Sequence, residues 1–205
     1  MNAVRRLFGP SKAEIWRHLS TELGARYDAG GFLTSDMVRV AHGEWTLTLD
    51  IYVVTTGTVT VPYTRLRAPY VNPDGFRFVI YRRGFFSDIA KRFGMQDVEV
   101  GHAQFDRDFI IKGTDGPKLR ALFANPKIRE LIEGQPEISF AVKDDEGMFG
   151  ASFPAGVDEL YFLVGGVIKD IGRLKHLFEL FAETLDELCR LGSAYEGAPP
   201  MEGRG

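Results

Sequence analysis

The sequence predicts an α+β domain in which an antiparallel sheet packs against helices, and three observations predict it. Strand-type alternation runs through Trp45, Leu47, Leu49, Ile51 and Val53, with Thr46, Thr48 and Asp50 between them. Strands and helices come in blocks rather than in strict βαβ alternation, which argues against a doubly wound parallel sheet. A long apolar stripe of helical period, Val167 to Leu188, closes the chain.

The elements follow in order. Ser11-Lys12-Ala13-Glu14 is a capping box, and Ile15, Trp16, Leu19 and Leu23 recur behind it at helical spacing, so a helix spans 12–23. Met37, Val38 and Val40 mark a first strand, and the alternation from Trp45 marks a second. Beyond the turn at Gly57, Val59, Val61, Tyr63 and Arg65 share one side of a third. Asn72-Pro73-Asp74-Gly75 is a turn, after which Phe76, Phe78 and Ile80 open a fourth. These four strands are expected to form a sequential N-terminal meander. Phe85 to Phe93 reads as a short helix, and Phe109 to Ile111 as a strand. Helices open at Asp115-Gly116-Pro117 and Asn125-Pro126, where Asn caps and Pro suits the first turn. Short strands are expected at 137–142, 148–153 and 159–164, then a long helix from just after Gly165-Gly166 to Gly192.

The expected organisation is one domain over 1–192, with loosely similar halves at about 1–94 and 95–192, and a disordered Gly/Pro-rich tail over 193–205. With 44% hydrophobic residues and 16 Phe, the chain has ample material for a core. One cysteine, Cys189, excludes an intrachain disulfide and a thiolate metal cluster. No stretch reads as a signal peptide or membrane span, so a cytoplasmic location is expected. The net charge of −3 is uneven: 13 Lys/Arg stand against 8 Asp/Glu over 1–94, and 12 against 20 over 95–205. An acidic total disfavours nucleic acid as a partner.

Three sets of residues are candidates for function. His102, Asp106 and Asp108 are acid/base-capable groups close together; on a strand the two carboxylates would share a face and hold a cation or an acid/base pair. Arg65, Arg67 and Arg77, with Arg82, Arg83 and nearby tyrosines, form a basic and aromatic patch suited to an anionic partner. Phe178, Phe181 and Leu185 lie on the stripe of the last helix, where spacings of three and four would serve a core or a dimer seam. No spacing of His, Cys and carboxylates matches a metal site, and no glycine-rich or nucleophile pattern matches a cofactor or acyl-transfer site.

The block Gly101-His102-Ala103-Gln104-Phe105-Asp106-Arg107-Asp108-Phe109, continuing to Leu131-Ile132, resembles a family of uncharacterised bacterial proteins. That family carries a Phe-Asp-x-x-Phe strand followed by two helices, the second started by Pro, as at Pro126. The resemblance covers 32 of 205 residues; it implies bacterial origin and a fold, and supplies no catalytic residues.

The sequence alone names no activity. The reading it favours is a non-enzymatic binding or adaptor module, homodimeric, acting through protein–protein contacts at the meander face or the last helix. The alternative is a small-molecule or metal-dependent enzyme centred on His102, Asp106 and Asp108. No cofactor is expected.

Overall fold

In the computed structural model, residues 10–31, 35–84, 96–144 and 153–195 are described. The helix expected at 85–93, the strand expected from Met148 and the tail beyond Tyr195 lie outside those residues.

Helix α1 (Lys12–Glu22) starts as its capping box dictates: the Ser11 hydroxyl accepts from the Glu14 N–H at 3.3 Å, and Glu14 Oε2 accepts from the Ser11 N–H at 3.0 Å. Its buried face is Ile15, Trp16 and Leu19. Nine strands follow among the described residues: β1 (Arg26–Asp28), β2 (Met37–His42), β3 (Trp45–Thr56), β4 (Val59–Val71), β5 (Phe78–Arg82), β6 (Gln96–Asp97), β7 (Phe109–Gly113), β8 (Ser139–Lys143) and β9 (Val157–Gly165). Helices α2 (Ala103–Asp108), α3 (Gly116–Leu122), α4 (Pro126–Glu133) and α5 (Ile171–Arg190) complete the set. The fold is α+β, with every strand pair antiparallel in one sheet of order β1-β2-β3-β4-β9-β8-β5-β7-β6.

The meander differs from expectation in its membership. Its four strands are β1 to β4, while β5, expected as the fourth, sits between β8 and β7. Residues 72–77 carry the chain past two strand positions, held by Asn72, whose Nδ2 donates to the Phe76 carbonyl at 3.0 Å and to the buried Asp158 carboxylate at 2.5 Å. Strands β9 and β8 return later in the chain to fill the gap.

Register places one apolar row straight across the sheet: Val38, Leu49, Leu66, Phe162, Phe140, Ile80 and Ile111 are successive partners, and all are buried. Helix α5 lies on this face, with Phe181 against Phe140 at 5.4 Å between ring centres. It begins later than expected. Gly166 turns at φ 83°, the chain runs on beside β4, and Asp170 caps the helix by accepting from the Arg173 N–H at 2.7 Å. The tail is anchored at its start, since the Ser193 hydroxyl donates to Asp74 and accepts from Lys118, and Ser193 and Ala194 are buried. No helix among the described residues is long and apolar enough to cross a membrane.

Candidate functional site

Strands β3 and β4 outrun their neighbours. Pairing of β2 with β3 stops at Val38 opposite Leu49, and the β4–β9 ladder stops at Thr64 opposite Val164, with one further bridge from Tyr63 to Gly166. Beyond these points Ile51–Thr56 and Val59–Tyr63 form a two-stranded arm, paired with each other, joined to another segment among the described residues only at its base by Gly166, and closed by Gly57 at φ 61° and Thr58. The dense Val, Ile and Thr content favours extended backbone. No residue from Ile51 to Thr64 is charged. Exposure on the arm is high: Tyr52 40%, Val53 48%, Val59 60% and Val61 37%. Of the large hydrophobic side chains exposed among the described residues, only Tyr195 lies elsewhere. A lone two-stranded ribbon is marginal in water, so an arm of this composition is suited to meeting another surface.

The base of the arm is pinned by ions on the sheet face opposite α5. Asp50, buried, accepts from Arg65 Nε at 2.8 Å and Nη2 at 2.7 Å, and from Arg67 Nη2 at 3.2 Å. Burial alone would lower the Arg65 pKa, but the paired Asp50 hydrogen bonds and charge outweigh it and hold the guanidinium above its ordinary value. Arg65 also covers the Tyr52 ring at 5.0 Å, joining the pinned base to the exposed arm. Tyr161, the register partner of Arg67, is kept protonated above its usual range by burial, and Lys143 lies diagonally across, 3.4 Å from its ring centre.

The expected basic patch is therefore paired off within the chain. Arg65 and Arg67 are brought together, yet both are committed to Asp50. Arg77 is separate, with Nε 3.0 Å from buried Asp158 and Nη1 2.6 Å from Asp144. Arg82 donates to the Glu133 and Gln135 carbonyls at the end of α4, and Arg83 to those of Asp106 and Arg107. Each arginine answers an acceptor of the chain itself: carboxylates for Arg65, Arg67 and Arg77, and backbone carbonyls at or near helix ends for Arg82 and Arg83.

The acid/base cluster is also corrected. Asp106 and Asp108 lie on helix α2, not on a strand, where residues two apart point about 200° apart around the axis and share no face. The Asp106 carboxylate is consumed locally by three backbone N–H groups, Val100 at 2.9 Å, Gly101 at 3.0 Å and His102 at 3.0 Å. His102 thus meets Asp106 through its backbone and sits as N-cap without a side-chain cap bond. Among the described residues no three His, Cys, Asp or Glu side chains gather as a metal site. Phe178, Phe181 and Leu185 are buried inside this one chain, so α5 offers core where a seam was considered. An open groove of about 830 Å³ at the β6 end, lined by residues including Asp97, Glu99, Thr114 and Arg120, is the remaining concavity of note.

Sequence reasoning placed Val59, Val61 and Tyr63 on one strand face but did not single out the arm. A signal was present: fourteen successive uncharged residues in a chain that is 26% charged.

The architecture defines a class before it suggests a role: an α+β domain built on one wholly antiparallel sheet with its longest helix across one face. A solved structure of similar fold is the crystal structure of the mycobacterial trehalose monomycolate transport factor A, TtfA, with a TM-score of 0.53 over 94% of this chain and 98% of that one. At 9% identity, the likeness is one of fold. No protein-family model matches the chain, and no curated protein matches it.

Proposed function

We propose that this chain is a non-enzymatic binding or adaptor module that acts through protein–protein contacts, as a cytoplasmic homodimer. The observation that carries the reading is the concentration of exposed apolar side chains on the uncharged β3–β4 arm, set on a base tied across β3 and β4 by the Asp50–Arg65 pair. The similar fold belongs to a protein described as a transport factor, which supports the same reading. The resemblance of Gly101–Ile132 to a family of uncharacterised bacterial proteins is carried forward as a kinship of fold alone; of its pattern, Phe105 and Asp106 are helical here and Phe109 begins a strand.

Native mass spectrometry of the gently purified full chain tests it. The expected spectrum is a bare dimer for the wild type and a bare monomer for the Val53→Lys variant, whose exposed side chain stands on β3 itself, with matching circular dichroism. A wild-type monomer carrying a metal or a fixed extra mass would overturn the proposal in favour of a small-molecule site.

A further inference from the structure

The two ends of the sheet and the arm treat their open edges differently. Strand β1 ends the sheet on one side with three residues, two of them the charged Arg26 and Asp28, and β6 ends it on the other with two residues including Asp97. Short length and charge are the usual guards against edge pairing. The β3 edge of the arm, Ile51–Thr56, has neither: six residues with no charge, no proline and no strand beside them among the described residues. On the other edge of the arm, Pro62 removes a donor and its carbonyl is taken by the Gly166 N–H at 2.8 Å.

That last bond fixes which β3 groups face outward. Because the Pro62 carbonyl points toward Gly166, the register pair of Val53 with Pro62 is a non-hydrogen-bonded one. The backbone N–H and C=O of Val53 then face the open side, and by alternation so do those of Ile51 and Thr55.

Resting on the homodimer reading above, we propose that two copies of this chain join edge to edge through β3, antiparallel about a two-fold axis at Val54, to make one continuous sheet. A two-fold places residues near the axis beside their own copies, so a charged strand would bring like charges together; the neutral arm meets that condition. With the axis at Val54, the outward groups of Val53 pair with those of Thr55 of the second copy, and those of Thr55 with its Val53. An axis at Val53 would bring the second copy's Thr56 and Gly57 opposite Asp50 and Leu49, where β2 already runs through Met37 and Val38. The register about Val54 sets Tyr52 opposite Thr56 on the other face, an aromatic and β-branched pair of the kind that stabilises sheets.

The test is Val53→Pro in the full chain, followed by sedimentation velocity. Proline there removes an outward N–H and leaves the β3–β4 hydrogen bonds in place. The expected result is loss of the dimer with an unchanged far-ultraviolet spectrum. A second measurement covers the case in which that variant misfolds: the Val54→Cys chain is oxidised and mapped by peptide mass spectrometry. The two Cα atoms would stand about 4.5 Å apart as a non-hydrogen-bonded pair, within disulfide range, so a disulfide joining position 54 of two chains is expected. A Val53→Pro dimer, or a wild-type dimer that gives no such link, overturns the edge pairing and leaves the homodimer standing. A wild-type monomer at every concentration overturns both.

Discussion

In α5, Phe178, Phe181 and Leu185 are 4%, 0% and 0% exposed, whereas the valines and the tyrosine of the arm stand well into solvent. Both segments are apolar and both are regular. The difference lies in what each meets: α5 spans the middle of a sheet whose inward row is already apolar, while the arm extends past the strands that would cover it. Periodicity reports that a face is apolar; the lengths of neighbouring elements decide whether anything covers it.

The contrast can be broken most forcefully at Phe181. Phe181→Ala deletes a fully buried ring packed on Phe140, and a loss of about 3–5 kcal/mol in denaturant unfolding is expected. A loss under about 1 kcal/mol would mean that α5 is not the centre of the core.

The next effect belongs to the ionic base of the arm. Asp50→Ala strands Arg65 and Arg67 without their carboxylate, and a loss of about 3 kcal/mol is expected, since one partner of a largely buried pair is left uncompensated. Restoration of most of that stability by adding Arg65→Met and Arg67→Met would separate the ion-pair effect from lost packing.

Asp106 sharpens the picture on the α2 side. Asp106→Ala removes the acceptor for three backbone N–H groups, so about 1–2 kcal/mol of stability is expected to be lost. Metal content by elemental analysis should be unchanged; a metal present in the wild type and lost in Asp106→Asn would return the cluster to a catalytic reading.

A smaller, pH-dependent effect is expected where the tail docks. Burial raises the Asp74 pKa, but hydrogen bonds from Lys118, the Phe76 N–H and Ser193 outweigh it and hold the carboxyl below its ordinary value. A carboxyl lowered on folding stabilises above its unfolded pKa of about 3.9, and that stabilisation is lost as pH falls through the folded value. The stability difference between wild type and Asp74→Asn should therefore be present at neutral pH and shrink below about pH 4. A difference independent of pH would show that the contact does not depend on charge.

The smallest effect on folding is expected at the arm. Val59→Ser, at an exposed position, should change monomer stability by less than about 0.5 kcal/mol. A large loss would place the arm in the structural core and erase its contrast with α5.

Legibility in the sequence follows the range of the forces involved. The Ser11 capping box, the Asn125 cap and the alternation from Trp45 to Leu49 were readable because each rests on contacts within four residues or on the two-residue strand period. Helix α2 was misread because six residues give little periodicity. The one usable cue was Phe105 and Phe109 four apart, whose rings now meet at 4.7 Å. The arginines read as a surface patch because Asp50, Asp158 and the carbonyls at the end of α4 are neighbours only in space.

By itself, then, the sequence determined which segments are strands and helices in most of the chain, which faces of them are apolar, and that the sheet is antiparallel. The tertiary structure alone decided that β9 and β8 enter between β4 and β5, that the arginines are taken up by carboxylates and carbonyls of the chain, and that the arm is left uncovered. Hydrogen bonding along a chain and the alternation of side chains are local, whereas strand order, ion pairing and exposure depend on which distant segments arrive beside one another.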